Sequence, residues 1–267
     1  MNNLKKIGLT ALGTALVASS AHAATMSVSG GTSIFFGGED NSNSGNGWSM
    51  TDQVTFSASG EMDNGMTIST SLQLDGTGAA GNAAPYDDRS LTIDMGDSGV
   101  LVFSGHGSSG PVGAWDDLTP TANEESWGTS IGGTVDGPTN ADIGNNSFVY
   151  DYTVNDAFAI KAAYKPSKAG GVDSSTEVGV AYTGIDGLTV KAAMGENNNV
   201  ADSVDLNVFS AVYAAGPVSV GIQSNESDRG GTNTDEDFTA YGISYAVNDD
   251  VSVSYGVSTL DYSSALE

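Results

Sequence analysis

The chain has 267 residues, no cysteine, and 33 Asp and Glu against 8 Lys and Arg, with a formal charge of −25. Without cysteine it can form neither disulfides nor thiolate metal sites, and a charge this negative disfavours nucleic acid and anionic membrane surfaces as partners. Hydrophobic residues make up 39% of the sequence, which argues against a disordered chain.

The first 23 residues, MNNLKKIGLTALGTALVASSAHA, have the parts of a bacterial secretory signal. A charged start with Lys5 and Lys6 precedes an apolar run and a small-residue end, so cleavage is expected after Ala23. The apolar run is only about a dozen residues long, against the ~20 that a membrane-spanning helix needs. Removing this signal peptide leaves residues 24–267 and changes the formal charge from −25 to −27.

From residue 24 onward, apolar and polar residues alternate with period two, which is typical of strands whose faces meet different environments. Between 188 and 194, for example, Leu188, Val190 and Met194 alternate with Thr189 and Lys191. The pattern predicts about thirteen strands. They lie near residues 25–37, 48–61, 65–75, 88–95, 99–104, 146–154, 156–165, 175–183, 187–195, 204–214, 216–226, 237–247 and 250–260.

The connections between these strands alternate strictly between short and long. The short ones are rich in Asn, Asp, Gly and Pro, which favour tight turns, and lie at 62–66, 96–99, 154–157, 184–187, 214–217 and 247–250. The long ones lie at 37–47, 76–87, 105–145, 166–174, 196–203 and 227–236.

This order of connections favours a membrane barrel over a β-sandwich, because only the barrel has a reason to put short turns at one end and long loops at the other. A sheet inside hydrocarbon can pair all its backbone groups only by closing on itself. The sequence therefore predicts an all-β protein, a transmembrane antiparallel β-barrel with one face towards lipid and the other towards water.

The strand count has a consequence for the C-terminus. If the mature chain starts in the periplasm, a thirteenth strand ends outside the cell, where an even-stranded barrel cannot finish. Either the count is wrong by one, or the sequence stops early and roughly three further strands are missing. The second interpretation is favoured, because DYSSALE (261–267) contains no closing strand with a terminal aromatic residue.

Signal, alternation and loop order together resemble the general diffusion porins of Gram-negative bacteria, especially the alphaproteobacterial type. The most characteristic piece is LTIDMGDSGVLVFSGHGSSGPVGAWDD (91–117), which is similar to that family's strand, Gly-Asp turn, strand and entry to the third external loop. The resemblance implies sixteen strands, association of three barrels, and a third loop that folds inward to narrow the channel. It also implies an outer-membrane location, reached through the periplasm, among outer-membrane lipid and lipopolysaccharide, and passive diffusion of small hydrophilic solutes and ions.

Residues 105–145, called the third loop below, form the longest connection and contain no Lys or Arg. They carry two pairs of acids, Asp116 with Asp117 and Glu124 with Glu125. Folded into the lumen, these carboxylates would line the constriction and select cations; a solvated loop surface and calcium binding are the alternatives. Trp115 and Trp127 would pin the loop to the wall or act as interfacial anchors.

The bases have their own expected positions. Three lysines stand at the alternate positions at which their strands carry polar residues; they are Lys161, Lys165 and Lys191. This position predicts that they face the lumen as the basic side of a transverse field. Lys165, beside Pro166, could instead snorkel at a rim. Arg89 shares parity with Leu91 and would face lipid, where a midplane charge costs about 2 to 4 kcal/mol, so it is expected at the interface. Because bases are few, simple cation preference is expected rather than a strong transverse field.

No enzyme, cofactor or metal site is predicted. His106 is the only histidine of the mature chain, no acid stands near it at catalytic spacing, and no phosphate or dinucleotide motif occurs. Two other functions stay open at this point: a substrate-specific outer-membrane uptake channel, and a secreted acidic calcium-binding β-rich adhesin or surface protein.

Overall fold

The structure is a computed structural model and describes residues 25–36, 48–75, 86–107, 109–122, 143–167, 173–198, 203–230 and 234–264. Thirteen β-strands dominate it. They are β1 Thr25–Phe36, β2 Trp48–Glu61, β3 Thr67–Asp75, β4 Tyr86–Asp94, β5 Val100–His106, β6 Ser147–Asn155, β7 Phe158–Lys165, β8 Ser175–Ile185, β9 Leu188–Asn197, β10 Val204–Ala215, β11 Val218–Arg229, β12 Thr234–Asn248 and β13 Val251–Ser264.

The strands form one sheet in strict sequence order, each antiparallel to the next. The predicted all-β class is therefore confirmed. The predicted long connection at 227–236 is short in the structure, because β11 extends to Arg229 and β12 begins at Thr234. The short turns follow local chemistry. Asn155 Oδ1 accepts hydrogen bonds from the N–H groups of Ala157 and Phe158 at 2.9 and 3.0 Å. Gly187 has φ +74, and a side chain there would collide with the carbonyl oxygen of Ala214.

Two details differ from the alternation pattern. The strands β12 and β13 extend further toward the long-loop end than predicted, to Thr234 and Ser264, because backbone pairing continues where acids such as Glu236 and Asp261 replace the apolar residues. A single helical turn, α1 Pro111–Ala114, interrupts the third loop. Four residues are too few to produce a helical period, although Pro at the first position suits a helix start.

The two faces of the sheet have different surroundings. We call one the loop face, because residues of the third loop lie on it; it carries Val149, Ala163, Glu177, Ala193, Val208, Gln223 and Ala240, all buried. The opposite, apolar face carries large exposed side chains, including Phe148, Tyr164, Val178, Met194, Phe209, Ile222 and Tyr241. Met194 is 59% exposed and Tyr241 is 55% exposed. An apolar surface of this extent would be unfavourable in water, and it suits contact with lipid.

The hydrophobic core lies between the third loop and the sheet. Val112 and Trp115 of the loop pack with Ala193, Val204 and Val208 of the loop face. Among the described residues, no helix is long and apolar enough to cross a membrane.

Candidate functional site

The third loop leaves β5 and runs across the loop face from β7 to β12. Its helical turn α1 contacts β7, β8, β9 and β10, and Thr119 and Pro120 reach Gly242 of β12. The chain returns through Ile143, which is fully buried against Val149 and Ala163. Residues 108 and 123–142 of this loop lie outside the described part of the chain.

Glycines on the loop face let the loop backbone come close to the sheet. A Cβ atom at Gly179 would lie 2.8 Å from Trp115 Cη2 and 2.9 Å from Pro111 Cβ. At Gly221 it would lie 2.6 Å from Pro120 Cδ. These positions therefore have a packing reason to lack a side chain, as expected where a second segment approaches a strand closely.

Two amide side chains of β11 hold the middle of the described loop. The Leu118 N–H donates to Oε1 of Gln223 at 2.5 Å, and Nδ2 of Asn225 donates to the carbonyl oxygen of Asp116 at 2.9 Å. Gln223 and Asn225 are 0% and 9% exposed. Because buried polar groups need partners, these two bonds fix the path of the loop over the sheet.

A buried acid of β8 holds the two ends of the loop. Glu177 is 3% exposed; its Oε2 accepts from the N–H of Val112 at 3.0 Å, and its Oε1 accepts from the N–H of Ile143 at 2.9 Å. The N–H of Val112 lies in the first turn of α1, where a helix has no acceptor of its own. Sequence reasoning did not single out Glu177, because other polar residues also stand at inward positions of the strands.

The three predicted lumen bases lie on the loop face. Lys161 forms an ion pair with Asp151 at 3.0 Å across β6 and β7, and Nζ of Lys191 lies 5.5 Å from the ring centroid of Trp115. That distance is within the range of a cation–π interaction. Lys165 pairs with Ser175 at the long-loop end of its strand.

The predicted acids and tryptophans are distributed unequally. Trp115 is 7% exposed and lies between loop and sheet, and Asp116 is 5% exposed beside it. A carboxylate buried to this degree does not stand free in solvent, whereas Asp117 is exposed. Glu124, Glu125 and Trp127 lie outside the described residues. The structure thus places Lys191 over the Trp115 ring, buries Asp116 next to Trp115 in sequence, and leaves Asp117 exposed on the loop.

Arg89 lies near the long-loop end of β4, on the apolar face. It pairs with Leu72 of β3 and with His106 of β5, and it is exposed. Among the described residues, no group of three or more His, Asp or Glu side chains is placed to hold a metal ion.

Comparison with known proteins gives one family and several solved structures. A family model described as Gram-negative porin matches residues 8–265. A loop L8 deletion mutant of OmpT, an outer membrane protein of Vibrio cholerae, is similar with a TM-score of 0.65 and 15% identity, over 91% of this chain and 83% of that one. A comparison with curated proteins gave no match.

Two further structures have the same fold. Salmonella typhi OmpF, in complex with daunomycin, has a TM-score of 0.60 and 15% identity, over 88% of this chain and 78% of that one. An anion-selective porin from Comamonas acidovorans has a TM-score of 0.59 and 15% identity, over 90% of this chain and 79% of that one. At these identities the likeness concerns the fold alone.

Proposed function

Because this chain belongs to the Gram-negative porin family, we propose that it forms a general diffusion channel whose third loop favours cations over anions. Family membership makes it an outer-membrane β-barrel channel that solutes cross passively. The resemblance predicted from the sequence pattern is confirmed at the level of the family.

The position of the third loop carries the proposal. In a membrane barrel the apolar face meets lipid, so the loop face lines the water-filled interior. The described loop residues lie on that face, through the bonds to Gln223 and Asn225 and through the packing of Trp115 against Gly179. These contacts support residues 105–145 as the inward-folded constriction loop of a porin barrel to which residues 24–267 contribute.

The charge on the loop supports cation preference. Residues 105–145 carry six acids and no Lys or Arg, and rings of carboxylates in a pore select cations. We assign Asp117, Glu124 and Glu125 to the constriction surface, with Asp116 contributing its field from beneath the loop. Trp115 and Trp127 are the proposed loop anchors.

The bases of the wall do not cancel this charge. Lys161 is paired with Asp151 at 3.0 Å, which leaves Lys165 and Lys191, the latter over the Trp115 ring, against six acids of the loop. Lys161, Lys165 and Lys191 therefore form the proposed basic side of a weak transverse field. The Comamonas acidovorans porin shares the fold and is anion-selective, so side chains rather than the barrel itself determine ion preference.

Export and assembly complete the proposed function. Residues 1–23 are the proposed signal peptide, removed during export through the periplasm. Three copies are proposed to associate in the outer membrane, with lipid and lipopolysaccharide against the exposed aromatic and aliphatic side chains of the apolar face.

The zero-current potential of a bilayer under a salt gradient tests the ion preference. Changing Asp116 and Asp117 to Asn and Glu124 and Glu125 to Gln should move that potential toward the anion side. The matched control changes four exposed acids of the apolar face in the same way; they are Glu196, Asp205, Glu226 and Asp228. Equal shifts in both variants would mean that overall charge, and not the third loop, determines the preference.

A further inference from the structure

We infer that Glu177 is the positioning residue of the constriction, because this single buried carboxylate of the barrel wall holds the entry and the exit of the third loop together. The inference rests on the proposed role of the loop. It adds a residue that acts on the solute path through the loop and not by contact with the solute.

The contacts have the geometry of a clamp. Each oxygen of Glu177 accepts a backbone N–H group, Oε2 from Val112 at 3.0 Å and Oε1 from Ile143 at 2.9 Å. Val112 and Ile143 are 31 positions apart in sequence and are both buried, at 5% and 0% exposed. The carboxylate therefore closes the base of the loop segment between residues 112 and 143.

The surroundings of Glu177 leave room for a carboxylate and little else. A Cβ atom at Gly110 of the loop would lie 2.8 Å from Cδ of Glu177. A Cβ atom at Gly195, on the neighbouring strand β9, would collide with Cγ of Glu177. Glycine on both sides thus gives the side chain its place between the loop and the wall, which is expected where segments approach closely.

Charge and acceptor count both matter at this position. Two buried N–H donors converge on two acceptor oxygens, and a carboxylate is an acceptor at both. A glutamine can accept from only one of them and points its own NH₂ donor at the other. Because buried N–H groups left without an acceptor are strongly unfavourable, Glu177→Gln should shift the loop away from its docked position.

The first experiment measures docking of the loop directly and does not depend on conductance. The mature chain has no cysteine, so Val112→Cys introduces a single thiol at a buried loop position. Loss of one hydrogen bond to a charged group corresponds to a change on the order of ten- to a hundredfold in the docking equilibrium. A water-soluble thiol reagent should therefore modify this cysteine at least about tenfold faster in the Glu177→Gln background.

The control is Glu196→Gln in the same Val112→Cys reporter protein. Glu196 lies on β9, is exposed on the apolar face and pairs with Thr176, the neighbour of Glu177 in β8. This control removes the same charge close by without touching the loop, so its modification rate should equal that of the reporter alone. Heat-modifiable migration in detergent gels should be retained in every variant, which reports an intact barrel.

Bilayer recording supplies the second measurement. Glu177→Gln channels should show more frequent current fluctuations than wild-type and Glu196→Gln channels, because the loop leaves the wall more often. Equal modification rates in the Val112→Cys reporter with and without Glu177→Gln, with quiet channels in both, would overturn the role of Glu177 while leaving the channel in place. A wild-type chain that conducts no ions would instead contradict the proposed function.

Discussion

Replacing Gly179 with alanine should displace the third loop from the barrel wall. The added methyl group would lie 2.8 Å from Trp115 Cη2 and 2.9 Å from Pro111 Cβ, which is shorter than a carbon–carbon contact by most of an ångström. Neither neighbour can turn away freely, because Trp115 is 7% exposed within the core beneath the loop. The loop must move.

The expected size of the effect follows from the packing. Overfilling a close-packed site costs about 1 to 3 kcal/mol, and the cost of moving Trp115 altogether has an upper limit of about 3 to 5 kcal/mol, the loss for truncating a buried tryptophan. The cation–π contact with Lys191 adds about 0.5 to 1 kcal/mol if it is broken. Docking should thus weaken by about 1 to 3 kcal/mol, which is a factor of roughly 5 to 150 in the docked-to-undocked ratio.

Quenching of tryptophan fluorescence by aqueous acrylamide measures this displacement. The chain has three tryptophans, so the assay is best done with Trp48 and Trp127 changed to Phe, which leaves Trp115 as the reporter. Gly179→Ala should increase quenching of Trp115. The matched control is Gly31→Ala, on the loop side of β1, where nothing lies within 4 Å of an added Cβ. Equal quenching of Trp115 in wild type and Gly179→Ala would refute the docking argument.

Two other predictions concern charges on the two faces of the sheet. Asp151→Asn removes the partner of Lys161 at 3.0 Å, so the zero-current potential under a salt gradient should move toward the anion side, and an unchanged potential would contradict a lumenal Lys161. Phe209→Arg places a charge in the middle of β10 on the apolar face and should cost about 2 to 4 kcal/mol of folding free energy in lipid vesicles, measured by urea titration. Ser254 stands at a loop-face position of β13, so Ser254→Arg should cost much less folding free energy. Equal costs for the two variants would contradict a lipid-facing Phe209.

The strands and their order could be predicted from sequence because each strand meets two different solvents. Alternation such as Val178 and Val180 against Glu177 and Gly179 is imposed by that difference, and it does not depend on any distant contact. The turns were predictable for the same local reason, since Asn155 and Gly187 satisfy the geometry of their own turns.

The docking of the third loop could not be predicted in detail, because it depends on contacts between the loop and strands that are distant in sequence. The bond from Leu118 to Gln223 joins residues 105 positions apart, and the bond from Val112 to Glu177 joins residues 65 positions apart. Nothing local distinguishes Gln223 or Glu177 from other polar residues of the same parity. The burial of Asp116 is a further consequence of this docking, because Asn225 holds its carbonyl oxygen.

Glycine was the one sequence signal that could have indicated the docking site. Gly179, Gly221 and Gly242 lie at inward positions of β8, β11 and β12, inside strands and away from turns. A glycine inside a strand usually marks the close approach of another segment. Three of them on one side of a sheet therefore outline the path of the loop.

The central claim is that the sheet lines a water-filled passive channel, with its apolar face towards lipid and its loop face towards the interior. Liposome swelling tests this claim most directly. Vesicles containing the mature protein should swell in solutions of small sugars and amino acids, at rates that fall with solute size and hardly depend on solute identity at equal size. Swelling that occurs with one solute only, and saturates with its concentration, would indicate a substrate-specific channel. Vesicles that do not swell in any small solute would contradict the account.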